Sequence, residues 1–171
     1  PGATWLHTSG RRREPGHSMY AAAARTAQNL VYFKALGVEK FFTYPLIAHP
    51  AGRTVSRSNW QSVIDINGIP YSPLPAHAAA VHFLEGAAPT GVETIAVGDA
   101  RVFRAGFTKK GQPLTVVWSS EPIALSEVPA TRTDGCQAFD MMGNPMNQPD
   151  TLTAAPVYYV QAGTKEQDGN P

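Results

Sequence analysis

Side chains able to do chemistry are concentrated before Gln61. Glu14 closes the basic triplet Arg11, Arg12 and Arg13 in the stretch SGRRREPGH. A carboxylate can serve as acid, base or nucleophile, but three adjoining guanidiniums equally make Glu14 a neutralised, solvated loop residue. The triplet itself offers forked donors to an acidic sugar or phosphate, or simply keeps a loop wet. Tyr44 and Trp60 present flat faces that suit the C–H face of a sugar ring, with a polar tip for its hydroxyls. Both serve as well as an apolar plug. Five histidines are scattered, at His7, His17, His49, His77 and His82. His77 and His82 share one predicted helix, but a separation of five residues turns them about 140° apart, unlike the i, i+4 pair of a metalloprotease helix. The single cysteine, Cys136, excludes an internal disulfide and a cysteine cage, and reads as a small apolar strand residue. No metal site and no cofactor is expected.

The elements that must position these groups fall into two kinds. Thr4 to Tyr44 reads as strand, loop, helix, strand. TWLHT is apolar and β-branched, Ser18 offers an N-cap to the alanine-rich helix that runs to Leu36, and Gly37 stands where a left-handed C-cap is wanted. VEKFFTY then has the composition of a strand buried on both faces. A right-handed βαβ unit with parallel strands follows from that order. The long segment after Tyr44 is the kind of loop that tends to be functional. Within it, alternation around Asn67-Gly68 predicts a small hairpin with a type I′ turn, so that Asp65 and Asn67 shape the turn. Ser72, Pro73 and Pro75 open a second helix, which Gly86 closes.

From about Gly91 the pattern changes. TIAVG, RVFRAGFTK, PLTVVWSS, PIALSEV, CQAFDMM, DTLTA and PVYYV are short β-type runs separated by turn signals. Strands so spaced, with no helix between them, predict an antiparallel sandwich with Trp118 and Phe139 in its core. The predicted division is 1–88, 89–163 and a polar tail over 164–171.

The 171 residues carry 14 basic and 13 acidic side chains and are 43% apolar. Such content supports a packed core. The charge balance lacks the clustered excess that nucleic acid or an anionic membrane surface requires, and the longest apolar run is well short of the ~20 residues of a membrane span. The chain opens on Pro1 without a charged-then-apolar leader, as a processed product or a fragment would.

Taken in order, WLHTSG, YFKALGVEKFFTY, DINGIPYSPLPAHAAAVHFLEG, TVVWSS, DMMGNP and APVYYV make the chain similar to the end of a clan-A glycoside hydrolase. The resemblance implies α/β plus all-β architecture: the last units of a (β/α)8 barrel followed by an antiparallel β-sandwich. It departs from that family twice. Such a barrel takes ~200 to 250 residues, so residues 1–88 hold roughly two of its eight units. The strand matching TWLHTSG ends in those enzymes in Thr-Glu-x-Gly, the Glu being the nucleophile, and here Thr8 occupies that place. Glycoside hydrolysis needs two carboxyl groups roughly 5 to 9.5 Å apart, and a threonine hydroxyl without an adjacent base is a poor nucleophile. No hydrolysis is therefore expected from the isolated chain.

The resemblance also places Glu14 after the first strand on the catalytic face, as a displaced carboxylate. His7, Arg11, Arg12, Tyr44 and Trp60 become candidate carbohydrate contacts at the barrel mouth, with His7 equally a core histidine. Two units cannot close a barrel, so the expected partners are carbohydrate and a complementary chain or the missing barrel portion, or further copies of the chain. The resemblance favours a secreted or periplasmic setting. A non-catalytic carbohydrate-binding or structural interaction module is the alternative.

Overall fold

The computed structural model describes residues 19–42, 64, 67–129 and 135–161. Helix α1 (Met19–Ala35) is built mainly from alanine and straight-chain residues that lose little entropy in a helix. It buries Ala23, Ala24, Ala27, Val31 and Ala35, a stripe at helical spacing. Its end is a Schellman cap: the Val38 N–H donates to the Phe33 carbonyl and the Gly37 N–H to that of Lys34, with Gly37 at φ +79°. The left-handed conformation that glycine adopts freely is what brings both donors onto those carbonyls.

Helix α2 (Pro73–Leu84) starts on proline, whose missing N–H has no helical partner at that position in any case. Ser72 makes no side-chain cap, so the prolines and not the serine fix the start. The helix ends in a type II turn. Glu85 is extended (φ −60°, ψ 126°), Gly86 has φ +68°, and the Ala87 N–H donates to Leu84.

The two helices run side by side in the same direction. Ala23, Ala24 and Ala27 from the first half of α1 cluster with Ala76 near the start of α2. Val31 and Ala35 from its second half cluster with Ala80, Phe83 and Leu84. Parallel packing sets the end of α1 and the start of α2 about one helix length apart, about 25 Å for α1.

The rest of the described chain is antiparallel sheet. β1 (Ala88–Val97), β2 (Ala100–Lys109), β3 (Gln112–Ser119), β5 (Cys136–Phe139), β6 (Pro145–Met146) and β8 (Val157–Gln161) form one sheet in the order β1-β2-β3-β8-β5-β6. β4 (Ile123–Ala124) and β7 (Thr151–Leu152) form a second, small one. The first hairpin turns on Gly98, which has positive φ while Asp99 does not, the type II′ pattern. The second turns on Lys110 and Gly111 at φ 51° and 77°, the type I′ pattern that matches strand twist.

The centre of the six-stranded sheet is buried on both faces, while β1 is largely exposed. Toward the helices, Phe107, Leu114, Val116, Trp118 and Tyr158 pack with Val31, Ala35, Ala80, Phe83 and Leu84. Toward the other side, Val102, Val117, Ala138, Val157 and Tyr159 pack with Ile123, Leu125, Val128 and Leu152. Two-sided burial explains why the centre of β3 reads as the continuous apolar run VVW. Trp118 is core, as predicted, and stacks on Phe103 with centroids 5.3 Å apart, but it faces the helix layer. Phe139 is partly buried against that same cluster.

The loop from β5 to β6 locks the helices to the sheet. Asp140 Oδ1 accepts from the backbone N–H groups of Met142 (2.8 Å) and Asn144 (2.9 Å), and Oδ2 accepts from the Asn144 amide at 3.0 Å. The turn so held inserts Met141, 1% exposed, among Ala23, Ala24, Ala27 and Ala76. Alanine on both helices leaves the room it fills.

Several sequence expectations are corrected. The described part of VEKFFTY, Val38–Phe42, is not a strand and is exposed; β-type composition makes a strand only where a neighbour supplies the ladder. At Asn67-Gly68 a single bridge joins Ile64 to Pro70, and Gly68 but not Asn67 has positive φ, so the turn is not type I′. PIALSEV is strand only at Ile123–Ala124 and continues as a 3-10 turn over Leu125–Glu127. CQAFDMM stops at Phe139, because the Asp140 carboxylate captures the next amides. The short β6 was not foreseen. The first strand TWLHT, the Ser18 cap and the tail over 164–171 lie outside the described residues.

Candidate functional site

His7, Thr8, Arg11, Arg12, Glu14, Tyr44 and Trp60 all lie outside the described residues. What is described is the surface leading to one of them. Beyond the cap of α1 the chain presents Leu36, Val38, Phe41 and Phe42 to solvent in succession, Phe42 being 85% exposed. Phe41 stacks on Phe33 of α1, with centroids 5.4 Å apart and planes 26° apart. Tyr44 follows two residues later in the sequence. Ile69, ahead of α2, and Val81, on it, are exposed as well. Together these side chains make an exposed apolar surface beside the helix pair.

A second feature lies on the β-sheet face away from the helices. A groove of about 390 Å³ runs over β1, β2 and β3, lined by Thr90, Gly91, Val92, Glu93, Arg104, Gly106 and Thr115. Its floor is the facing pair Gly91 and Gly106. A Cβ on Gly106 would lie 2.5 Å from the Thr90 hydroxyl, so the close approach of Thr90 requires glycine there.

Glu93 and Arg104 stand opposite one another across the strands and form an ion pair; Arg104 Nη1 also donates to the Pro129 carbonyl at 3.5 Å. The hydrogen bond from Arg104 holds the Glu93 carboxyl below the usual carboxylate range. A carboxylate kept ionised in this way cannot deliver a proton near neutral pH. Among the described residues the groove offers two hydroxyls, a balanced ion pair and a flat floor.

Glu93 and Arg104 are not among the residues that motif and composition single out, although strand parity carries the signal. Arg104 shares a face with Ala100 and Val102, and Glu93 with Ile95 and Val97; all four apolar residues belong to the core on that side. A charge at such a position needs a partner across the strand.

Other predicted groups are not brought together. His77 is half-buried and His82 exposed on α2, with the His82 ring edge-on to Phe83. Among the described residues no three His, Cys, Asp or Glu side chains cluster as a metal would need. Cys136 is in strand β5 as expected, half-buried and not fully so. No described helix is long and apolar enough to cross a membrane.

The sequence matches no protein-family model and no curated protein. The chain is similar in structure to a family 39 glycoside hydrolase from the gut symbiont Bacteroides cellulosilyticus WH2, with a TM-score of 0.62 and 18% identity over 82% of this chain. It spans 30% of the length of that enzyme. At this level of identity the likeness is one of fold.

Proposed function

We propose that the chain is the C-terminal part of a glycoside hydrolase-like, carbohydrate-active protein. In this reading α1 and α2 are the last helices of a (β/α) barrel and the antiparallel sheet is the β-domain packed against them. One observation carries it: α1 and α2 are consecutive helices packed in parallel, and the chain is similar in fold over 82% of its length to 30% of a glycoside hydrolase. Consecutive parallel helices are the repeating geometry of a barrel.

The exposed run from Leu36 to Phe42 is then the ground on which further barrel units pack. Thr8 stands at the nucleophile position, and the second carboxylate belongs to units outside this sequence, so the isolated chain binds sugar weakly at most and hydrolyses none. The test is turnover of aryl glycosides by the isolated chain and by the longest polypeptide that carries this sequence, each with Thr8 and with Thr8→Glu. Activity that appears only in the longer Thr8→Glu protein supports the reading. Turnover by the isolated chain, or no gain from the substitution in a folded longer protein, refutes it.

A second reading, a non-catalytic carbohydrate-binding module, is favoured by the polar groove over β1 to β3. Titration of the chain with soluble oligosaccharides, with Arg104→Ala and Trp60→Ala as separate variants, distinguishes groove from barrel mouth.

A further inference from the structure

We infer that the outer edge of β1 pairs, over Val92–Val97, with the same strand of a second copy of this chain in a two-fold antiparallel arrangement. Among the described residues β1 ends the six-stranded sheet; it is ten residues long, longer than the ~5–6 residues usual for a strand. The other end of the sheet is β6, two residues long, an edge too short to template anything. In β1 the first half is protected by Pro89 and by the register break between Pro89 and Gly91, both of which disrupt pairing.

From Val92 to Val97 the register with β2 is unbroken. This half holds no proline and no lysine, and its one charge, Glu93, is paired within its own sheet by Arg104. Thr94 and Ala96 are exposed. A row of edge amides and carbonyls in such a segment is a template for another strand.

The sequence is self-complementary at this edge. A two-fold axis normal to the sheet brings together residues of the same face, so the symmetric registers centre on a residue. Centring on Glu93 sets two carboxylates against each other. Centring on Thr94 or Ile95 sets Glu93 against Ile95 or Val97, extends the alternation across the junction and opposes no like charges.

Light scattering on the purified chain tests this from about 1 to 200 μM, the range expected for an interface made mainly by one strand pair. The mass rises with concentration from 18.3 kDa toward twice that value, and the Val92–Val97 amides become protected from hydrogen exchange over the same range. Thr94→Lys with Ala96→Lys places like charges across the junction in either register without entering the core, and weakens the dimer about tenfold or more.

Three results overturn the inference: a constant 18.3 kDa with fast-exchanging β1 amides, a dimer that the folded lysine variant leaves unchanged, or protection that appears only when a different polypeptide is added. The exchange measurement on the unaltered chain decides the matter even if the variant does not fold. The pairing uses the sheet edge and not the Leu36–Phe42 surface, so it stands or falls separately from the glycoside hydrolase reading.

Discussion

Replacing Tyr158 by phenylalanine is expected to stabilise the fold. Tyr158 is fully buried, and its hydroxyl has no hydrogen-bond partner among the described residues. Its ring stacks on Phe83 at 4.5 Å with planes 20° apart, and Phe83 in turn lies against Phe139 at 5.1 Å. The ring therefore serves packing, and the oxygen brings only the cost of leaving water unpaired, about 1–3 kcal/mol. Phenylalanine keeps the ring and leaves a gap too small for a water molecule, so part of that cost is offset by lost contacts. A net gain of about 1 kcal/mol follows, or a rise of ~2–4 °C in Tm for a chain of this size. Urea unfolding measures it as a higher midpoint at unchanged slope. Phe83→Ala, which removes the stacking partner, is the control and loses about 3–5 kcal/mol. A loss of 1 kcal/mol or more in Tyr158→Phe would refute the reasoning, because it would mean that the hydroxyl is satisfied.

The tyrosines also set an alkaline limit. Burial, and secondarily Cys136, pushes the Tyr159 hydroxyl up to about 12, and burial pushes Tyr158 up further. The folded protein keeps these protons where the unfolded chain, near pKa ~10, has lost them. Stability is thus complete below about pH 10 and falls as pH rises toward the folded values, by ~1.4 kcal/mol per pH unit per tyrosine; Tyr158→Phe with Tyr159→Phe flattens that fall in unfolding measured at stepped pH. Lys110, at φ 51°, carries the ~1–2 kcal/mol strain of a side chain in the left-handed region, so Lys110→Gly should raise the unfolding free energy by about 0.5–1 kcal/mol, read as a higher urea midpoint. Asp140→Ala strands two amides held by its carboxylate and releases Met141; a loss of about 2–3 kcal/mol is expected by urea unfolding, with Asp140→Asn recovering part of it.

What could be read in advance was what local chemistry decides. Gly37 and Gly86 end the helices because only a left-handed residue closes those caps, and Lys-Lys-Gly-Gln turns a hairpin because two successive positive φ angles suit strand twist. Trp118 in a β-branched run had to be core. Beyond those positions, tertiary context decided. Val38–Phe42 has strand composition but no described neighbour to pair with, and Leu125–Glu127 winds into a 3-10 turn to lay Leu125 over the sheet. The burial of Trp118 beneath α1 and α2 depends on a packing direction that periodicity leaves open. Of the chemistry, Glu93 and Arg104 are legible through strand parity, whereas the candidate contacts His7, Arg11, Arg12, Tyr44 and Trp60 lie outside the described residues.

The measurement that tests the central claim most directly is the mass and composition of the native particle that contains this chain, isolated from the cells that make it and sized by light scattering. The account expects this sequence in the company of a further ~200 or more residues, in the same polypeptide or tightly bound to it, which supply the remaining barrel units. One or two bare chains of 18.3 kDa, unfolding cooperatively and holding no other polypeptide, would contradict it.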